Sequence, residues 1–525
     1  MSSTPFGLDL PQLSADAPPL FTDAASCRDW IGGIVTEQVH QTQALLLRQL
    51  NLLNRYALPA TERYAILDLL RESVHAANED GALRFTARPL PLTPPEQAAF
   101  DTCQTLWQAL EIGYLHCLQK FTGNASGSGS SHANSRQIAQ AAARVLGCLS
   151  ASYIDACRAA ILPPPGFWAR LHRIHHLLEQ RQLTQLGIDD PQRESHPTGA
   201  TLTAASLYVE LLLLAAAHPL ELDPAQLSQV VYWSRLWAHK VTPLVAPPAD
   251  LRTPPLGIDI SGDAAGAFKS HPAVGSNLRW LNMANLRLTI KQTSAILEQG
   301  DTLESLWLDQ DAPTSFGLVL LRQVYQDWCR GGRGGSGRKT TGHCRLIPGV
   351  EAIHQRLAAT GAETNHPAED WQKISEHVAR IHLQRPLNQA GRRLTRTQLV
   401  AVCMNDGDSL LIGKLQWIAI GSTRDALLAG IHILPGRPTA VTLQSDDVAV
   451  GGAQAEEHRG FLLPAIPSLD EPASILLPPR WFRPGQAIRI EAMDTLDVPA
   501  GSRKIYLRDR LDNGVDFVRC TFIDA

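Results

Sequence analysis

The sequence lacks a hydrophobic run long enough to cross a bilayer. Its most apolar stretch, AASLYVELLLLAAA, covers the 14 residues Ala204–Ala217 and includes Glu210, whereas a spanning helix needs roughly 20 apolar residues. The stretch reads instead as a buried helix, with Leu211, Leu212 and Leu213 in a core. A dominant charge is missing too: 47 Lys and Arg against 51 Asp and Glu give a formal net charge of −4. That leaves no global attraction to nucleic acid or anionic lipid. Cysteines are not paired in sequence. The nine of them (Cys27, Cys103, Cys117, Cys148, Cys157, Cys329, Cys344, Cys403 and Cys520) form no C-x-x-C motif, and an odd number cannot all pair internally. The opening MSSTPFGLDLPQ has no signal-peptide pattern. Together these features predict a reducing, cytoplasmic setting. Finally, there is no G-x-S-x-G, no GxGxxG behind a strand and no H-E-x-x-H, so nothing argues for an enzyme.

What is present is ample core material. An apolar fraction of 44% and a charged fraction of 19% over 525 residues describe a globular chain of several domains. Residues 1–23 are rich in proline and read as an irregular arm. Helical signals then dominate residues 24–123. TEQVHQTQALLLRQLNLLNRY places Val39, Leu46, Leu50 and Leu53 on one helical face. Pro59 ahead of ATERYAILDLLRESVHAA, and Thr93 followed by Pro94, mark helix starts. NASGSGSSHANS makes residues 124–135 a flexible linker or loop, and residues 136–328 form a second helical region. Beyond residue 340 the character changes. QLVAVCM, LLIGKLQWIAI, ALLAGIHIL, QAIRIEAM, RKIYLRDR and GVDFVRCTFI are short, branched and apolar, and LDNG is a hairpin signal. The C-terminal part therefore reads as β and barrel-like.

Between the two regions lies CRGGRGGSGRKTTGHCRLIPG, residues 329–349. Gly332 and Gly337 have the spacing of a phosphate-binding loop, but Arg338 stands where that loop needs lysine, with Lys339 and Thr340 one place late. The segment before it reads as a helix rather than the required strand. A glycine-arginine RNA-binding tract would be longer and repeated. Residues 329–340 are thus a flexible, basic, glycine-rich linker. In RLHRIHH, His172 and His176 share a helical face, as metal ligands would. No zincin glutamate or cysteine pair joins them, so they read as ordinary histidines, and no metal site is expected.

The order of the C-terminal features resembles PilZ domains, bacterial β-barrels that bind cyclic di-GMP. A basic linker leads into a first strand, HCRLIPG; a helical insert, GVEAIHQRLA, precedes WQKISEHVARIHL, RTQLVAVCM, LLIGKLQWIAI and LLAGIHILPG. Through FTDAASCRDW, LPATERYAILDLLRE and RPLPLTPPEQAAF the chain is also similar to proteobacterial proteins with a long helical region before such a barrel. The resemblance implies an α+β multidomain fold: a helical N-terminal region, a PilZ-like β-barrel over 341–445 and additional C-terminal strands over 446–525. It implies a non-enzymatic regulator in, or derived from, cyclic di-GMP signalling, bearing on motility, pili or biofilm. Cyclic di-GMP is then the possible ligand and a protein the probable partner, with no nucleic-acid partner.

The family's ligand site combines R-x-x-x-R in the linker, whose guanidinium groups fork onto phosphates, with [DN]-x-S-x-x-G on the first strands. Here Arg338 matches the second arginine, while the first falls on Gly334, beside Arg333 and near Lys339. The second motif falls on SEHVAR, with Ser375, His377 and Arg380 replacing all three signature residues. The resemblance thus implies a degenerate site made of Arg333, Arg338, Lys339, Ser375, His377 and Arg380, binding the nucleotide weakly or not at all. Beside it stands a scaffold reading, in which the helical region is the working surface and the barrel a docking module.

Overall fold

The computed structural model describes residues 10–34, 38–124, 132–193, 196–269, 271–299, 314–332, 338–358, 368–377, 379–404, 410–445, 457–492 and 501–525. The chain divides into two compact units, Met1–Ala87 with Leu92–Gly334, and Arg88–Pro91 with Gly335–Ala525.

The first unit is mainly helical: α1 (Ala24–Gly32), α2 (Val39–Leu53), α3 (Ala60–Ala82), α4 (Pro94–Asn124), α5 (His132–Ala159), α6 (Phe167–Gln180), α7 (Ala204–Ala216), α8 (Pro224–Trp237), α9 (Ala284–Glu298) and α10 (Thr314–Cys329). Local chemistry starts several of them. The Asp23 side chain accepts from the Ser26 amide at 2.8 Å, and the Glu96 carboxylate accepts the Thr93 amide at 2.7 Å. Thr203 with Ser206, and Asp223 with Gln226, form reciprocal capping boxes. On α7, Leu211, Leu212 and Leu213 are fully buried, and the Leu213 carbonyl accepts the indole N–H of Trp328 at 2.8 Å.

Between α8 and α9 lies a small antiparallel sheet that helical periodicity does not foreshadow: β1 (Thr242–Leu244), β2 (Leu256–Asp259), β3 (Ala267–Phe268) and β4 (Leu278–Asn282), in the order β1-β4-β2-β3. Two- to five-residue strands are too short for alternation to show in a proline-rich stretch.

The second unit holds two closed, all-antiparallel, six-stranded barrels. The first is built from β5 (Arg338–Pro348), β6 (Glu369–His377), β7 (Arg380–Pro386), β8 (Leu399–Met404), β9 (Leu410–Ile420) and β10 (Ala426–Ile433), closing in the order β10-β7-β6-β5-β8-β9. Helix α11 (Val350–Ala358) follows β5. The C-terminal strands do more than extend this barrel. β11 (Thr439–Ser445), β12 (Glu457–Leu463), β13 (Ser474–Leu477), β14 (Ala487–Ala492), β15 (Gly501–Asn513) and β16 (Val518–Asp524) close a barrel of their own, in the order β11-β12-β13-β16-β15-β14. Closure removes the free edges that open sheets must protect. Ile353 of α11 sits in one apolar cluster with Ile347, Leu399 and Ile412 of the first barrel and Phe461, Leu463 and Leu476 of the second.

Two features of the first barrel bear on its chemistry. Along β7 the buried positions alternate as Ile381, Leu383 and Arg385, so a guanidinium sits in the interior. It lies 3.2 Å from Glu369 and over the ring of Trp371 at 5.3 Å. Gly391 makes room for it, since a β-carbon there would lie 1.1 Å from the Arg385 Nη1. In addition, Leu90 pairs with Leu394 through two backbone hydrogen bonds of 2.8 and 2.7 Å, and Arg393 donates to the carbonyls of Pro89 and Pro91. The short segment between α3 and α4 is therefore part of the barrel unit.

Candidate functional site: a basic barrel rim and a cleft among helices

The register of the first barrel brings four of the predicted residues to one end. Lys339 on β5 pairs with Ser375 on β6, Ser375 with His382 and His377 with Arg380 across β6 and β7. The Arg338 backbone pairs with Glu376. The Arg338 side chain, and Arg333 altogether, lie outside the described residues.

Residues paired across a sheet share a face, so the rows continue onto β10 and β9. One row runs Lys339, Ser375, His382, Gly430, Trp417. The next runs His377, Arg380, His432, Lys414. Within the first row the Ser375 hydroxyl lies 3.0 Å from the His382 Nδ1, and the His382 ring meets Trp417 edge-on at 5.4 Å. Gly430 lets the indole lie flat on the sheet, because a β-carbon there would lie 2.1 Å from the Trp417 Nε1. In the second row Lys414 is paired with Asp512 at 2.5 Å. Burial pushes the His432 imidazole below its ordinary value, and the nearby Lys414 and Arg380 charges push the same way. The rim offers cations, imidazoles and an aromatic face, the groups that bind phosphate and stack on bases. Sequence reasoning missed His382, Trp417, His432 and Lys414. The one available signal was the mid-strand glycine in ALLAGIHIL, which marks a close approach.

The RLHRIHH histidines serve structure. The His172 Nε2 donates to the Ala264 carbonyl at 2.8 Å and its Nδ1 lies 2.8 Å from the Tyr208 hydroxyl. The His175 ring stacks on Tyr208 at 4.0 Å. Among the described residues, no group of three or more His, Cys, Asp or Glu side chains is arranged to hold a metal ion, and no helix is long and apolar enough to cross a membrane.

The first unit contains a cleft of about 960 Å³ that sequence reasoning did not anticipate. Its floor is one face of α5, where Ala143, Gly147 and Ala151 recur every four residues; α3 and α8 supply walls. Charged groups line it in linked sets. Arg71 and Arg144 share Asp190, and Arg144 also holds Asp68 at 2.9 Å. Arg158 bridges Glu79 at 3.0 Å and Asp155 at 3.1 Å. Asp155 also accepts the Trp107 indole N–H at 2.8 Å. Burial pushes the Asp155 carboxyl up to about 6, against the opposing pull of Trp107 and Arg158.

Comparison with known proteins adds a family. Residues 25–248, which include every residue lining the cleft, match the family model described as the N-terminal domain of the cyclic-di-GMP receptor FimW. Residues 447–524 match the FimW C-terminal beta-barrel domain. The cyclic-di-GMP receptor FimW of Pseudomonas aeruginosa is 26% identical over 210 residues, a match covering 39% of this chain and 33% of that protein. The aligned part is thus about a third of that relative's length. In its helical unit and in its second barrel, the chain is similar to FimW, a receptor for cyclic di-GMP.

Proposed function

We propose that this chain is a non-enzymatic regulator in cyclic di-GMP signalling, acting in the cytoplasm and passing its state to a protein partner. Its similarity to a cyclic-di-GMP receptor in two separate domains supports the signalling role. The first barrel supports a finer reading, in which the rim is a PilZ-type ligand site that has decayed. The observation that carries it is the SEHVAR segment. It occupies the end of β6 and the start of β7 with a serine, a histidine and an arginine where the PilZ pattern has an acid or amide, a serine and a glycine. The Ser375 hydroxyl is already engaged with His382, and Arg380 places a long side chain where the pattern lets a backbone approach its ligand.

Each charged hydrogen bond lost to a ligand phosphate removes roughly 1.5–3 kcal/mol. Two such losses carry a micromolar site to about millimolar. Lys339 and Arg338 are the cations at the end of β5 that can retain part of the phosphate contact. Calorimetric titration of cyclic di-GMP into wild type, Arg338→Ala and Lys339→Ala tests this. Weak binding that disappears in either variant supports a residual clamp. Submicromolar binding that depends on these residues contradicts the decay.

A further inference from the structure

We propose that the cleft of the helical unit is a second nucleotide site, binding a guanine nucleotide with its phosphate on Arg193 and Arg235 and the N–H edge of its base on the carboxylates of α3. The choice of guanine rests on the cyclic di-GMP reading above; the location and orientation rest on the cleft itself.

Space comes first. A volume of about 960 Å³ lies within the range of small-molecule sites. The α5 floor is flat at its centre, since a β-carbon on Gly147 would meet nothing within 4 Å. Charge then gives the cleft a direction. Arg193 and Arg235 both reach the single carboxylate of Glu210, at 2.6 and 3.1 Å. Glu210 is buried, whereas Arg235 is 49% exposed. Two guanidinium groups on one carboxylate leave one positive charge over among the described residues. In these bonds each uses one of five N–H donors. A phosphate would take up both the charge and the donors.

Elsewhere along the cleft the imbalance is reversed. Arg158 is shared by two carboxylates, Glu79 is 59% exposed, and Glu72 is exposed on the same wall. Carboxylates only accept hydrogen bonds, so they suit a partner edge made of N–H donors. The N1–H and amino group of guanine form such an edge; adenine has no N1–H. The exposed His75 ring lies between these regions, edge-on to Trp107 at 4.7 Å and within electrostatic reach of Arg71, Glu79, Arg235 and Asp190. Its open face can stack on a flat base. A purely anionic or purely cationic ligand would satisfy one region and be repelled by the other; a nucleotide satisfies both.

The test is a set of titrations on the full chain with cyclic di-GMP, GMP and cyclic di-AMP. At least one guanine nucleotide should bind, Arg235→Ala should weaken it at least tenfold, and Glu79→Gln should weaken it further toward the cyclic di-AMP level. Arg322→Ala, on an exposed pair of α9 and α10, should leave affinity unchanged. Arg193→Gln serves as a second variant, and circular dichroism melting establishes that each variant is folded. Binding of GMP alone, lost in Arg235→Ala, supports a mononucleotide site. Three results overturn the proposal: no binding of either guanine nucleotide, equal binding of cyclic di-AMP, or affinity that survives Arg235→Ala and is lost in Lys339→Ala or Arg380→Ala. The last keeps the cyclic di-GMP reading and moves the ligand to the barrel rim.

Discussion

The cleft of the helical unit and the rim of the first barrel both gather cations, but they hold them differently. In the cleft, Arg71, Arg144 and Arg158 each sit on a helix and each is fixed by carboxylates from another element or from a neighbouring turn. At the rim, His377, Arg380, His432 and Lys414 line up by strand register on one face, and Lys339 enters from the end of the glycine-rich segment. Helix packing thus produces a cleft in which Arg71, Arg144 and Arg158 are preorganised but spent on carboxylates, while Arg193 and Arg235 keep donors to spare. Strand pairing produces a surface whose cations are aligned by register, with Lys414 among them paired to Asp512. A clamp of two arginines needs both a fixed backbone and unspent donors. This contrast is open to attack at several points.

The largest effect should come from Leu212→Asp. This side chain is fully buried on α7, next in chain to the Leu213 that holds Trp328. An unpaired charge there should cost roughly 3–5 kcal/mol and unfold the helical unit while the barrels still give a cooperative melting transition. Wild-type melting of both units would show that α7 does not carry the helical core.

Next comes Arg144→Met. Arg144 is 3% exposed, and its loss leaves Asp190 to Arg71 and removes the ion pair of Asp68, which keeps the Tyr114 hydroxyl as a donor. Chemical denaturation should show a loss of about 3 kcal/mol. A loss below about 0.5 kcal/mol, the size of an exposed pair, would mean that the cleft's ion pairs are no better fixed than those of the rim.

A third effect is pH-dependent and belongs to the cleft. Below about pH 4 Asp155 is protonated in both the folded and unfolded chains. Between about 4 and 6 the folded chain keeps the proton that the unfolded chain releases, because burial raises the folded value to about 6. The stabilisation this group confers is therefore complete at low pH and lost as pH rises through that window. Asp155→Asn should flatten this part of the stability profile, by an amount on the order of 1–3 kcal/mol. An unchanged slope would place the titration elsewhere.

A smaller and more local effect is expected from Gly430→Ala on the rim. The added methyl must displace the Trp417 indole. A cost of about 1–2 kcal/mol and altered tryptophan fluorescence are expected, with the helical unit's melting untouched. Unchanged fluorescence would show that Trp417 is not held against the sheet.

These sites differ equally in how far the sequence discloses them. The α7 core was legible, since LYVELLLL has no polar face to expose. The division into helical and barrel parts followed from periodicity and turn residues. The rim's register was hidden: SEHVAR was singled out by resemblance, but Trp417 and His432 join the rows of Ser375 and Arg380 only through pairing across β7, β10 and β9. The closure of β11–β16 into a separate barrel was invisible, because pairing partners such as β13 and β16 are far apart in sequence. The cleft was the least legible. Its residues come from α3, α4, α5, α7, α8 and the turn around Asp190, and no local spacing links Arg193 or Arg235 to Glu210.

The central claim concerns the rim, and one measurement addresses it most directly. Cyclic di-GMP is titrated calorimetrically into the full chain carrying Arg235→Ala, to silence the cleft, with and without Ser375→Asp, His377→Ser and Arg380→Gly. The account predicts that the unrebuilt rim binds with a Kd no tighter than about 100 µM and that the rebuilt rim gains at least about tenfold, roughly one recovered charged hydrogen bond. Micromolar or tighter binding by the unrebuilt rim, abolished by Lys339→Ala, would contradict it.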